Sequence, residues 1–137
     1  MSSEIAPPVL TLPSDLRFLP VARAFVEAAC KAGGLRGELT DAVVLAADEA
    51  VNNVIRHAHR NDTTLTLHVT CLLATDRVEI QVSDEGEPFL LEAVPSLDPG
   101  ELRVGGRGVF LMRALMDEIL CEPRQPRGNL LRLIKRR

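Results

Sequence analysis

Leu39, Ala42, Val43, Ala46, Ala50 and Val54 recur at spacings of three and four. That places them in one stripe along a helix running from about Leu35 or Glu38 to about His59. A stripe this continuous has to be covered. The cover follows directly in the chain: after an Asn61-Asp62 turn come two β-prone runs, "TTLTLHVTCLL" (63–73) and "RVEIQVSD" (77–84), joined by "ATD" as a hairpin turn. A striped helix beside a hairpin leads to helices stacked on a sheet.

The remaining segments extend that plan. "VLTL" (9–12) is a short strand. Ser14 and Asp15 offer an N-cap to a helix over "LRFLPVARAFVEAACKAG", with Pro20 in an irregular first turn and Gly33 and Gly34 as its stop. "GVFLMRALMDEI" (108–119) reads as a third helix, its Met and Leu residues as core. "ILCEP" and "NLLRLIKR" read as two closing strands joined by "RQPRG". The expected fold is a two-layer α/β sandwich with a mixed, mostly antiparallel sheet and helices on one face, in a single domain spanning 1–137.

The chain has no Trp or Tyr and four Phe, while 46% of its residues are hydrophobic, so the core between the layers must be aliphatic. Its 16 basic and 19 acidic residues leave a net charge of −3, which argues against direct nucleic-acid binding through a basic face. The terminal "LIKRR" reads as a solvated strand end. Cys30, Cys71 and Cys121 are far apart and lack metal-type spacing, so they read as reduced and mostly buried, as in the cytoplasm. No signal peptide and no span of the ~20 apolar residues a membrane requires are evident.

Three stretches do not fit a purely structural role easily. The first is "DEAVNNVIRHAH" (48–59). Asparagine is a poor residue inside a helix, because its amide competes for backbone hydrogen bonds, yet Asn52 and Asn53 stand there together. Glu49 and Asn53 are four apart and lie ~40° from one another on the helix surface. Arg56 is four from Asn52 and three from Asn53. Glu49, Asn53 and Arg56 thus form a polar stripe, either a solvated face or a Mg²⁺-nucleotide site. In the second reading the Asn53 amide oxygen is a hard neutral ligand, Glu49 a proton acceptor and Arg56 a phosphate partner. His57 and His59 read as structural residues near the helix end, and His68 as surface.

The second stretch is "VSDEGEPF", where Asp84 ends an apolar strand two residues before Gly86. It is either a strand exit or a base-recognition site, in which the carboxylate accepts from an exocyclic amine and the glycine lets backbone approach the ring. The third is "GGRGVFLM" (105–112), glycines opening an apolar helix: a hinge, or an anion site made of free N–H groups and the helix dipole. Between them, residues 85–105 form a long loop rich in Gly and Pro, uncommon in a compact domain unless functional or disordered.

In this order and spacing, E-x-x-x-N on a helix, a strand ending D-x-G, then a loop and G-x-G at a helix start, the chain resembles the GHKL (Bergerat) ATPase superfamily of gyrase, histidine kinases, MutL and the heat-shock chaperone ATPases. It looks most like the bacterial anti-sigma factor serine/threonine kinases. The resemblance spans about residues 9–135. It implies ATP and Mg²⁺ as ligands, Asn53 as the Mg²⁺ ligand, Glu49 as general base, and Asp84 with Gly86 at the adenine. It places Gly106 and Gly108 around the phosphates and an ATP lid at about 87–105. Arg56, and Arg103 or Arg107, would meet phosphate, and Asn52 would serve packing or support.

Two functions follow from the resemblance. One is a Mg-ATP-dependent protein kinase that phosphorylates a STAS-type anti-anti-sigma factor and sequesters a sigma factor, as a homodimer. The other is an ATP-binding anti-sigma or switch module with little or no kinase activity, suggested by the long acidic-apolar lid with Pro95 and Pro99.

Overall fold

A computed structural model describes residues 6–85, 107–124 and 127–137, with residues 107 and 108 described by their backbone alone. Val9–Pro13 forms β1. Asp15 then caps a 3-10 turn, Leu16–Phe18, its side chain accepting from the Arg17 N–H, and Leu19–Ala32 continues as α1 with Pro20 in its first turn. There the missing N–H of proline costs no hydrogen bond. Gly33 donates to Ala29 O and closes the helix.

Gly37–Asn53 is α2. Val43, Ala46, Ala47, Ala50 and Val51 are buried along it, and it packs between α1 and the later helix. Past Asn53 the helix widens. Over Val54–Ala58 the backbone makes π-type bonds, His59 N–H donating to Val54 O at 2.9 Å. Arg60 and Asn61 then take positive φ, 50° and 61°, and end it. Asp62 accepts from both the N–H and the hydroxyl of Thr64, making the expected turn.

β2, Thr66–Leu73, and β3, Arg77–Asp84, form the expected hairpin. α3 is Arg107–Leu115, shorter than the sequence suggests. Asp117 N–H donates across to Ile134 O instead of continuing the helix, so Glu118 and Ile119 belong to β4, Glu118–Pro123. β5 is Asn129–Arg136. The sheet order is β1-β2-β3-β5-β4. Among the described residues every pairing is antiparallel, in line with the mostly antiparallel sheet expected. The crossover through α3 and β4 returns the chain as β5 beside β3, running opposite to it. Leu67, Val69, Cys71, Val78, Ile80, Val82, Leu131 and Leu133 alternate toward the helices and are buried.

On the outer face of the sheet Arg132 holds Glu79 with Nε at 2.9 Å and Nη2 at 3.1 Å, and reaches Glu122 with Nη1 at 3.2 Å. The guanidinium keeps the Glu79 carboxyl below its ordinary value. The Glu79 side chain is 4% exposed and that of Arg132 26%. Arg132→Met is expected to cost on the order of 2 kcal/mol, less than a fully buried pair because the arginine is partly solvated. A carboxylate with a lowered folded value contributes stability above its unfolded pKa, and that contribution fades as pH falls through the folded one. The difference in urea midpoint between parent and variant should therefore shrink from about pH 7 to about pH 3.

The terminal Arg136 and Arg137 are exposed, as expected of a solvated strand end, and the terminal cations are also anchored. Lys135 Nζ donates to Leu115 O at the end of α3, and Arg137 donates to the carbonyls of Gly33, Gly34 and Ala74. Positive groups at the negative ends of two helices are favourable. The cysteines are free, Cys30 and Cys71 buried and Cys121 partly so. Burial pushes the Cys30 thiol up to about 11 and that of Cys71 up to about 12. No described helix is long and apolar enough to cross a membrane.

Candidate functional site

The two neighbouring asparagines point to different surroundings. Asn52 is half-buried, and its Oδ1 accepts from Arg56 Nε at 2.9 Å. It sets the direction of the arginine side chain. Asn53 is 1% exposed, and its Nδ2 finds no hydrogen-bond partner. An unpaired buried amide costs ~1–3 kcal/mol, a sizeable fraction of the stability of a small domain. Amide nitrogen and oxygen exchange places on a flip of the group. The orphaned corner of Asn53 can therefore present an oxygen, and a hard cation fits it.

Glu49 lies one turn before Asn53 in α2 and is partly exposed. Its neighbour Asp48 turns toward α1, where it takes a 3.1 Å contact from Arg23. Among the described residues no group of three or more His, Cys, Asp or Glu converges on a metal position. Mg²⁺ held through one amide would complete its shell with water and phosphate oxygens.

Asp84 ends β3 fully buried. Asn129 Nδ2 donates to its Oδ1 at 3.4 Å, and His59 Nε2 lies 3.3 Å from the same oxygen. The latter contact is too poorly aligned for a good hydrogen bond and acts as a close electrostatic contact. On its other side the His59 ring meets Ser14, Nδ1 and Oγ 2.6 Å apart. His59 therefore ties the end of β1 and the end of α2 to the end of β3. A cavity of about 140 Å³ opens beside it, lined by Thr64, Leu65, Thr66 and Glu85. A larger cavity, about 620 Å³, lies against Pro7, Pro8, Leu72 and Leu73 and shares no residue with this region.

The backbone of Asp84 is held as well. Arg124 Nη1 donates to Asp84 O at 3.0 Å, and Arg124 N–H closes its own turn on Gly128 O. Gly128 has φ of +114°, and a Cβ there would fall 2.0 Å from Asp84 O. The β4–β5 turn is thus seated directly on the residue expected at the base.

Of the residues singled out from the sequence, Glu49, Asn53 and Arg56 share the end of α2, and Asp84 is joined to that end through His59. Arg107 and Gly108 open α3, whose backbone packs against α2. Gly86, Arg103, Gly106 and the segment 87–105 lie outside the described residues. The sequence reading missed His59, Ser14, Asn129, Arg124 and Gly128 as members of this region. For Gly128 a local signal exists, since "RQPRG" closing a tight turn asks for a residue of positive φ. His57, expected near the helix end, sits partly buried with its Nε2 lacking a partner. Burial pushes its ionisation down. His68 alternates outward between buried Leu67 and Val69, as expected, and is bonded to Thr11 Oγ1 across β1 and β2.

Comparison with known proteins gives matching results from sequence and structure. The model of the histidine kinase-like ATPase domain matches residues 12–135. A serine-protein kinase RsbW of Listeria monocytogenes is 30% identical over 118 residues, covering 80% of this chain and 75% of that protein. The RsbW of Staphylococcus epidermidis is 32% identical over 120 residues, with the same coverage. Among solved structures, the RsbU and RsbW domains of Rv1364c from Mycobacterium tuberculosis superpose with a TM-score of 0.68 at 19% identity, covering 96% of this chain and 32% of the larger one. The histidine kinase domain of an Erythrobacter litoralis blue-light-activated kinase superposes at 0.53 and 16% identity, covering 98% of this chain and 65% of that one. At these identities the two superpositions speak for the fold.

Proposed function

Since the chain belongs to the histidine kinase-like ATPase family, in its serine-protein kinase branch, we propose that it binds Mg-ATP at the end of α2 and phosphorylates a serine or threonine of a STAS-type anti-anti-sigma partner. In this reading 1–137 is one kinase domain, acting as a homodimer and holding a sigma factor once its partner is phosphorylated. The observation that carries the nucleotide site is the buried Asn53 amide with an unpartnered corner, one helical turn from a carboxylate.

The roles we assign are supported by these placements for the described residues and by the family resemblance for Gly86, Gly106 and Arg107. Asn53 offers its amide oxygen to Mg²⁺, which when bound supplies charge neutralisation at the phosphates. Glu49 takes the proton of the incoming hydroxyl as its oxygen bonds to the γ-phosphorus and the bond to the ADP oxygen breaks. Asp84 accepts from the adenine amine, with Gly86 beside it. Arg56, directed by Asn52, meets phosphate, as do Arg107 and the backbone around Gly106 and Gly108 at the start of α3. Phosphoryl transfer relies mostly on positioning and charge, so one metal, one base and an anion-binding helix end suffice.

Calorimetric titration with ATP tests the site. The parent chain should bind at micromolar ATP with Mg²⁺ and far more weakly without it. Asn53→Ala should lose most of that Mg²⁺ dependence, on the order of tenfold or more in affinity, as expected for removal of an inner ligand to a charged centre. An Asn53→Ala chain that keeps the full Mg²⁺ dependence of the parent would move the metal to another residue. No parent binding at millimolar ATP would refute the site altogether.

A further inference from the structure

We infer that His59 is a positioning residue for adenine recognition, one that aims the Asp84 carboxylate and so sets the preference for a 6-aminopurine over a 6-oxopurine. This rests on the proposed adenine role of Asp84 and deepens it.

The ring is placed by three elements. The widened helix end, with His59 N–H on Val54 O, swings the side chain off the path a regular α-helix would give it. Ser14, at the end of β1, stands 2.6 Å from Nδ1, and Asp84, at the end of β3, stands 3.3 Å from Nε2. The side chains of His59 and Asp84 are 0% exposed, and Ser14 as a residue is also 0% exposed. In that enclosure the roles of the two ring nitrogens are constrained. An ionised carboxylate only accepts, so Nε2 carries the hydrogen facing Asp84, and Nδ1 accepts from the Ser14 hydroxyl. Asn129 Nδ2 adds a second donor to the same Oδ1. With one hydrogen bond from Asn129 and one close electrostatic contact from His59 on the same oxygen, the carboxylate is restrained from turning, and with it the direction in which its other oxygen faces.

The discrimination that follows is chemical. Adenine presents an amine at C6, which donates to a carboxylate. Hypoxanthine and guanine present a carbonyl there, which a carboxylate repels. A carboxylate free to rotate would lose part of this contrast, because it could turn its acceptor lone pairs away from either group. The misaligned His59 contact leaves room to tighten when a base is bound.

The test is competitive binding of ATP and inosine triphosphate, with Mg²⁺, to the parent, His59→Phe, His59→Gln and Ser14→Ala. The parent should prefer ATP. His59→Phe should lower the ATP-to-ITP ratio on the order of tenfold, the value of a hydrogen bond to a charged group, and Gln, whose amide can donate as Nε2 does, should restore most of it. Ser14→Ala should lower the ratio by about threefold through the same ring. A long-range ¹H–¹⁵N spectrum of the three histidines should show His59 as the Nε2–H tautomer, its ring shifts moving on ATP addition and not on tripolyphosphate.

A parent with no preference between ATP and ITP would overturn the adenine role of Asp84 itself. A parent that prefers ATP, with a folded His59→Phe chain that keeps the ratio, would overturn this inference alone. If His59→Phe does not fold, Ser14→Ala and the tautomer decide: an unchanged ratio, or an Nδ1–H ring, overturns it.

Discussion

Glu49→Gln is expected to leave ATP affinity within about twofold of the parent while lowering phosphoryl transfer roughly 10²–10⁴-fold, the range a positioned general base contributes. The substitution keeps the shape of the side chain and removes its ability to hold a proton. Glu49 shares α2 with Asn53 at a separation of one turn, so a hydroxyl brought beside a cation on Asn53 would lie within reach of the carboxylate. Asp48 is the natural control. Its 3.1 Å contact with Arg23 directs it to α1, and Asp48→Asn should leave transfer within a few-fold. The measurement is transfer of the γ-phosphoryl group to a STAS-domain protein, alongside calorimetry of ATP binding. Full activity in Glu49→Gln would require another base. Loss of ATP binding together with transfer would make Glu49 a binding residue rather than a base.

How far the sequence showed this depends on how local each cause is. The stripe of α2 and the alternation of β2 and β3 follow from periodicity within one segment, and their bounds agree closely with the structure. The end of α3 was misjudged because Asp117 bonds to Ile134 across the sheet, a partner seventeen residues away that no local pattern names. The asparagine pair was noticeable from propensity, since two poor helix formers together need a reason. Only the structure divided them, giving Asn52 to Arg56 and leaving Asn53 enclosed. His59 was legible as a histidine near a helix end and nothing more. Its place between Ser14 and Asp84 exists because three chain segments, far apart in sequence, end at one point. The terminal arginine reads as solvated by composition, yet it finds the carbonyls at the end of α1 more than a hundred residues away.

Gly128→Ala is expected to produce the largest loss of stability among single-methyl additions near the site. A Cβ at this position would lie 2.0 Å from Asp84 O and 2.8 Å from Glu85 Cα, and the backbone φ is +114°. Both contacts are with backbone, which cannot turn aside as a flexible side chain would. Positive φ at a residue with a side chain costs ~1–3 kcal/mol, and the collision adds to it by forcing the turn off the end of β3. A total of about 3 kcal/mol or more corresponds to a fall in melting temperature of roughly 10 °C for a domain of this size. The displaced turn carries Arg124, which donates to Asp84 O, and adjoins Asn129, which donates to Asp84 Oδ1. Adenine selectivity should therefore weaken together with stability, measured as the ATP-to-ITP ratio well below the new melting point. By contrast Gly37→Ala, where an added Cβ meets nothing within 4 Å, should be neutral or slightly stabilising, by up to about 1 kcal/mol. A Gly128→Ala chain as stable as the parent would show that the turn can lift away from Asp84, and that Asp84 is then held by its side-chain partners alone.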